Sequence, residues 1–223
     1  MPQIHPHSSI SPPHVYIDQN FCSSSSTHFT VWTKSFLFNG KGFTVFDSLG
    51  HLVFRVDNYA SNVRNEVLLM DDEGQLLLTM RRKQWSLRKR WEAFRRDPIE
   101  SDEPKFTLKK YLGFSNKTVA NVFVDGSREI KECDYQMEGS LCKASCTIFN
   151  ASGKIIAQIK RREGRLDIML GNDVLSLVIE AGIDQAFVMG YLSCLIRYAS
   201  DMLGEYLTKM VDGSRGGWPP SQF

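Results

Sequence analysis

The sequence predicts a mainly β fold, a closed antiparallel barrel around one apolar helix near the C-terminal end. Three observations predict it: a series of short β-type runs, a turn motif that occurs three times, and a segment that is apolar on nearly every side. The length of 223 residues suits a barrel that forms one domain, and 42% hydrophobic with 23% charged residues is a globular composition.

The β-type runs are rich in β-branched and aromatic residues, and Gly, Asp and Asn separate them, as in hairpins. They cover residues 29–32, 43–46, 51–56, 67–70, 76–80, 119–124, 145–149, 155–159, 166–170 and 174–179. So many short runs in succession favour consecutive strands that pair with their neighbours in the chain.

The turn motif is Asp or Asn, two variable residues and Gly, each time between two β-type runs. It occurs at residues 47–50, 71–74 and 150–153. The Asp or Asn side chain can hydrogen-bond its own turn, and Gly can adopt the positive φ that closes a hairpin. A carboxylate metal site at Asp71-Asp72-Glu73 is the alternative, but the equivalent turns carry Ser-Leu and Ala-Ser instead.

The pattern becomes helical from residue 184 to about residue 203, with Asp184 placed as N-cap and Gly204 at the end. Residues 186–196 are apolar except for Ser193, and Arg197 ends this stretch after 11 residues. A bilayer span needs about 20 apolar residues. A shorter helix that is apolar all round must be enclosed by protein. We therefore expect burial of its large apolar side chains, Phe187, Leu192, Leu195 and Ile196.

The two ends of the chain differ in composition from the barrel domain, which we place at residues 29–204. Residues 1–28 are rich in Pro, His and Ser and predict a flexible lead, and residues 205–223 predict a tail. The lead shows no basic stretch followed by an apolar run, so the sequence predicts a cytoplasmic protein without a transmembrane segment.

Cysteine and histidine usage does not indicate catalysis or a cofactor. The five cysteines, an odd number without a CxxC pair, are expected as reduced thiols. A zinc site at Cys133, Cys142 and Cys146 does not match structural zinc spacing, and Cys194 is expected in the core. His51 is the only histidine in the predicted barrel, directly after a turn. A net charge of +2 does not indicate a nucleic-acid partner.

Residues 81–96 form the most basic segment, with Trp85, Trp91 and Phe94 between the cations. The candidate surface for anionic lipid head groups or protein partners consists of Arg81, Arg82, Lys83, Arg88, Lys89 and Arg90. The alternative is a solvated face, neutralised by acidic residues at 97–103. Residues 160–162 and Arg165 form a second basic run after another hairpin.

Four segments, in this order and spacing, resemble the plant LURP-one-related family. They are residues 43–56 (FTVFDSLGHLVFRV), 77–83 (LLTMRRK), 87–91 (LRKRW) and 182–186 (GIDQA), and the likeness covers residues 29–204. The resemblance implies a barrel of about 12 strands around a central hydrophobic helix, as in tubby C-terminal domains and phospholipid scramblases. It favours a strand over a helix for residues 87–94.

The resemblance also implies a link to plant defence and no established catalytic residues. Tubby domains bind phosphoinositides at the plasma membrane, whereas the cysteine cluster of scramblases is missing from this sequence. Our hypothesis is a non-catalytic signalling protein, cytoplasmic or peripheral at a membrane, with anionic phospholipids, phosphoinositides or proteins as partners. A barrel that carries a small ligand is the alternative, and an uncharacterised enzyme is a third.

Overall fold

Twelve antiparallel strands form the structure, a computed structural model that describes residues 17–33, 42–61, 64–83, 90–96, 103–110, 118–124, 133–140, 145–161 and 174–197. The strands are β1 (Thr27–Trp32), β2 (Phe43–Phe46), β3 (Leu52–Ser61), β4 (Arg64–Asp71), β5 (Leu76–Lys83), β6 (Arg90–Arg95), β7 (Phe106–Lys110), β8 (Thr118–Val124), β9 (Tyr135–Ser140), β10 (Ser145–Asn150), β11 (Ile155–Arg161) and β12 (Val174–Ile179). A short 3-10 helix, Gln19–Phe21, precedes β1.

Each strand pairs with its neighbours in the chain, and β1 pairs with β12 to close the barrel. Phe29 lies opposite Leu177 at this closure. The predicted fold class, a closed antiparallel barrel of about 12 strands, is therefore confirmed. β6 was expected only from the family resemblance, β7 and β9 were not predicted, and the predicted run at residues 166–170 lies outside the described residues.

The three repeated turns share one hydrogen-bonding pattern. In each, the first side chain accepts a hydrogen bond from the backbone N–H four residues later. The pairs are Asp47 with His51, Asp71 with Gln75 and Asn150 with Lys154, at 2.9, 2.7 and 2.9 Å. The glycine of each turn has a positive φ: 88° at Gly50, 80° at Gly74 and 77° at Gly153. The predicted turn chemistry is confirmed. The Asp71 carboxylate accepts a hydrogen bond within its own turn.

One helix, α1, is described over residues 185–197 and lies inside the barrel. Phe187, Leu192 and Leu195 are at most 1% exposed, as predicted. Ile196 is only partly buried, in contrast to the prediction, and packs against the edge of the core cluster. Predicted helical residues beyond 197 lie outside the described ranges. No helix within those ranges has the length and apolarity to cross a bilayer.

The helix packs directly against the barrel wall at Gly190. A Cβ atom added there would lie 2.6 Å from Leu78 Cδ1 and 3.3 Å from Phe106 Cζ. The Phe187 ring contacts the Phe106 ring edge-on at 5.1 Å between centroids. Side chains of the helix thus fill this part of the interior, which disfavours a carrier that holds its ligand there.

Residues 17–26 cover the end of the barrel where α1 begins. Ile17 is 2% exposed, and the Phe21 ring lies 5.0 Å from the Phe54 ring. We expected residues 1–28 to be a flexible lead, with the barrel beginning at residue 29. The structure places residues 17–28 on the barrel instead, because Ile17 and Phe21 bury apolar surface and β1 begins at Thr27.

The Asp184 carboxylate joins this N-terminal segment to the start of α1. Its Oδ1 accepts hydrogen bonds from the N–H groups of Ala186 (2.8 Å) and Phe187 (3.2 Å), which confirms Asp184 as the N-cap. Its Oδ2 accepts from the N–H groups of Ile17 and Asp18. Burial raises the pKa of the Asp184 carboxyl, although the four N–H donors act in the opposite direction.

We predict that all five cysteines are free thiols. Cys22, Cys133, Cys146 and Cys194 form no disulfide in the described part of the chain, and Cys142 lies outside it. Thiol titration of the denatured protein, purified without oxidant or reductant, should find five thiols, the same number as in a sample reduced before denaturation. A stable disulfide, for example between Cys142 and Cys146, would contradict the prediction. In the folded protein Cys194 should react last, because complete burial raises the pKa of its thiol.

Candidate functional site

The candidate site is a row of three cations on the outer faces of β5, β6 and β7. Lys83 lies opposite Arg90, and Arg90 lies opposite Lys109. Their chain neighbours Trp91 and Leu108 are 2% exposed and face the core, so Arg90 and Lys109 face outward. We call Lys83, Arg90 and Lys109 the cation row.

One carboxylate lies within the cation row. Glu92 Oε1 lies 3.5 Å from Lys83 Nζ and 2.8 Å from an Arg90 terminal nitrogen. Three positive charges against this single negative charge leave the group at +2. Like charges directly opposite one another destabilise a sheet. The row is therefore suited to bind an anion that would relieve this repulsion.

Two buried polar atoms along the same row have no hydrogen-bond partner among the residues that the structure describes. They are Arg90 Nε, a donor, and Asn121 Oδ1, an acceptor on β8 directly opposite Lys109. Lys109 Nζ lies 4.6 Å from the centre of the Phe123 ring on β8, a cation–π contact that orients the ammonium group. A buried polar atom without a partner destabilises the fold by about 1–3 kcal/mol. Because neither atom is accessible to solvent, a ligand that accepts from Arg90 and donates to Asn121 would satisfy them only after these two side chains turn outward.

The basic segment 81–83 divides between the two faces of β5. Arg81 faces outward, and its Nε forms an ion pair with Glu66 Oε1 at 2.6 Å. Arg82 lies opposite the buried Trp91, so it is on the core side of the strand, near the end of the barrel. Strand alternation thus separates Arg82 from Arg81 and Lys83, which the sequence had grouped on one surface.

Of the predicted surface residues, the structure brings Lys83 and Arg90 together. Arg88 and Lys89 lie outside the described residues. Lys109 was missed, because the run Phe106–Lys110 was not recognised as a strand. The alternation of Phe106, Thr107 and Leu108 before Lys109 was the signal available in the sequence.

The side chains of His51 and Ser193 form polar contacts within their own turn or helix. The His51 side chain is 73% exposed, and its Nδ1 lies 3.2 Å from Asp47 Oδ2 within the same turn. The Ser193 hydroxyl is buried in α1 and donates to the Met189 carbonyl at 2.7 Å. Within the described ranges, no group of three or more His, Cys, Asp or Glu side chains could hold a metal ion.

Comparison with known proteins shows one family. A family model described as LURP-one-related matches residues 27–196. Protein LURP-one-related 5 of Arabidopsis thaliana is 38% identical over 193 residues, which cover 84% of this chain and 90% of the relative. Protein LURP-one-related 12 of the same plant is 32% identical over 190 residues, 84% of each chain.

One solved structure shares the fold. It is the X-ray structure of a protein from Arabidopsis thaliana, with a TM-score of 0.65 over 84% of this chain and 99% of that chain. The sequence identity of 22% limits this likeness to the fold itself.

Proposed function

The chain belongs to the LURP-one-related family, and from this premise we propose that it is a non-catalytic protein that binds anionic phospholipid at a membrane surface. The cation row is the binding surface in this proposal. The observation that carries it is the placement of Lys83, Arg90 and Lys109 directly opposite one another, with Glu92 as the one carboxylate that pairs with them in the described part of the chain. The setting we propose is signalling at the cytoplasmic face of a membrane, in plant defence.

The unsatisfied atoms favour a phosphorylated polyol head group, as in a phosphoinositide. The proposal requires the side chains of Arg90 and Asn121 to turn outward on binding. A phosphate oxygen would then accept from Arg90 Nε, and a ring hydroxyl would donate to Asn121 Oδ1. Arg90 and Asn121 are two strands apart, and a strand spacing of 4.7–4.9 Å gives a separation of about 10 Å. A phosphorylated sugar-like ring with its phosphate can extend over such a distance.

The expected affinity is modest. Each Lys or Arg close to an anionic leaflet contributes about 1 kcal/mol, so three cations contribute about 3 kcal/mol. Such binding is reversible and weakens with salt, because exposed charges are screened over about 8 Å at physiological ionic strength. The protein would therefore exchange between the membrane and the surrounding solution.

Vesicle co-sedimentation tests the proposal. The double variant Lys83→Gln/Lys109→Gln removes two cations of the row and should weaken binding to vesicles with anionic lipid about 30-fold, since it loses about 2 kcal/mol. The matched control is Lys154→Gln/Lys160→Gln, which removes two exposed cations from the β10–β11 hairpin, away from the row. The control should bind within about twofold of the wild type.

Vesicles of two lipid compositions distinguish specific binding to a phosphoinositide from binding to any anionic surface. Vesicles with phosphatidylinositol phosphate and vesicles with phosphatidylserine are compared at equal surface charge and at two salt concentrations. Stronger binding to the phosphoinositide is expected, and the Asn121→Leu variant should lose this preference. Equal binding by the row variant and the wild type, or no binding by either protein, would refute the cation row as a membrane surface.

A further inference from the structure

A groove with both polar and apolar lining residues lies on the outer face of the barrel, over β12, β1 and β2. It has a volume of about 700 Å³. Trp32 is 45% exposed and Leu49 is 78% exposed, and they are the two large hydrophobic residues that are exposed in the described part of the chain. Both line this groove. Exposed apolar side chains that share one groove indicate a surface that another molecule covers.

The groove follows the direction of β1. Thr30 in its floor lies between Phe46 on β2 and Ser176 on β12. Leu49 lies in the turn after β2, and Trp32 lies at the opposite end of β1. The four residue steps of β1 from His28 to Trp32 correspond to about 13 Å. An extended segment of about four residues, with an apolar side chain at each end, fits this length.

The groove faces away from the proposed membrane surface. In the closed barrel β1 lies six strands from β7 in either direction, so the groove and the cation row are on opposite sides. A bilayer that contacts Lys109 cannot also reach Trp32. The partner in the groove is therefore expected to be a protein in solution, not the same membrane.

A positively charged residue at the edge of the groove indicates which charge the partner carries. Lys160 on β11 lies opposite Ser176, which lines the groove, and it is exposed. Within the described residues Lys160 forms no ion pair. Asp47, which lines the groove, accepts hydrogen bonds from the N–H groups of Leu49 and His51 in its own turn. An acidic side chain on the partner would complement Lys160.

We propose that this groove binds an extended segment of a partner protein that carries two apolar anchors and an adjacent acidic residue. Trp32 provides a large, rigid apolar surface of the kind that dominates binding energy in protein interfaces. Leu49 covers the second anchor, and Lys160 pairs with the acidic residue. The choice of a protein over a membrane as the occupant rests on the proposed function of the cation row, but peptide binding in the groove can be measured separately from vesicle binding at the row.

The test is a selection of random 12-residue peptides displayed on phage against the intact protein, with the double variant Trp32→Ala/Leu49→Ala as counter-target. Peptides with two apolar residues and a neighbouring Asp or Glu should be enriched. A synthetic peptide from this set, followed by fluorescence anisotropy, should bind the double variant at least tenfold more weakly. Lys160→Gln should weaken the same peptide severalfold, and Lys83→Gln/Lys109→Gln should leave its affinity unchanged.

Several outcomes would overturn the proposal. Absence of enriched peptides, or equal affinity for the double variant, would show that the groove is no peptide site. Loss of vesicle binding in the double variant would make it a lipid contact. Concentration-dependent dimerisation that the double variant abolishes would make it a contact between two copies. Leu49→Asp alone serves as a second variant, because a side chain that is 78% exposed can be replaced without loss of the fold.

Discussion

Replacement of Leu195 by Asp should abolish folding. Leu195 is 1% exposed in the part of α1 that the barrel encloses. A carboxylate at this position would lose its hydration without gaining a partner, and such burial destabilises a fold by several kcal/mol. Whole domains are stable by only about 5–15 kcal/mol. The variant protein should therefore be insoluble, or lack a cooperative thermal transition in circular dichroism.

The matched control is Leu49→Asp, the same chemical change at a side chain that is 78% exposed. Its melting temperature should stay within a few degrees of the wild type. A milder variant, Leu195→Ala, should fold and lose about 2–5 kcal/mol in urea denaturation. A soluble Leu195→Asp protein with an unchanged melting temperature would show that the helix is not the core of the barrel.

The barrel and its helix could be predicted because their signals are local. Alternation, turn residues and an apolar helix are each visible within about ten residues of sequence. β9 was missed because its outward residues, Gln136 and Glu138, and the exposed Gly139 leave only Tyr135 and Met137 as apolar positions. A strand with so few apolar residues has a weak pattern, although its register within the barrel is well defined.

The candidate site could be predicted only in part, because it depends on strand register. Lys83 and Arg90 come from one basic segment, but Lys109 reaches them only through the pairing of β6 with β7. Likewise, the sequence does not show that Arg81 is neutralised by Glu66 on the preceding strand. A basic segment indicates where cations are, and the register decides which of them remain available for a ligand.

The groove was not anticipated for a different reason. An aromatic residue in a β-type run, such as Trp32, is expected in the core, because most large apolar side chains are buried. Phe29 and Val31 do face the core, and strand alternation therefore directs Trp32 outward. Once it is known which residues of a strand face the core, alternation predicts which large apolar residues are exposed.

Asp184→Ala should destabilise the protein by about 2–4 kcal/mol and release the N-terminal segment from the barrel. The wild-type carboxylate accepts hydrogen bonds from the N–H groups of Ala186 and Phe187 in α1 and of Ile17 and Asp18 in that segment. Alanine leaves these donors unpaired in a buried place. Urea denaturation measures the loss of stability, and hydrogen exchange at residues 17–22 measures the release.

A second readout comes from Cys22, whose backbone pairs with Asp184. Burial raises the pKa of the Cys22 thiol, and the charges of Asp184 and Asp18 raise it further. Loss of the Asp184 carboxylate should lower this pKa and expose the sulfur, so alkylation at Cys22, followed by peptide mass spectrometry, should become faster. Asp18→Ala separates the effect of charge from the effect of release: it also removes a charge that raises the Cys22 pKa, but it leaves the Asp184 hydrogen bonds in place and should change stability by less than about 1 kcal/mol.

Asp184→Asn separates the two hydrogen-bonding roles of this side chain. An amide keeps one oxygen to accept from the start of α1, but its NH2 group would face the N–H groups of Ile17 and Asp18. The N-terminal segment should therefore exchange faster while the helix cap is retained, with an intermediate loss of stability. If hydrogen exchange at residues 17–22 is the same in Asp184→Ala, Asp184→Asn and the wild type, then Asp184 does not hold this segment, and apolar contacts such as Phe21 with Phe54 must do so alone.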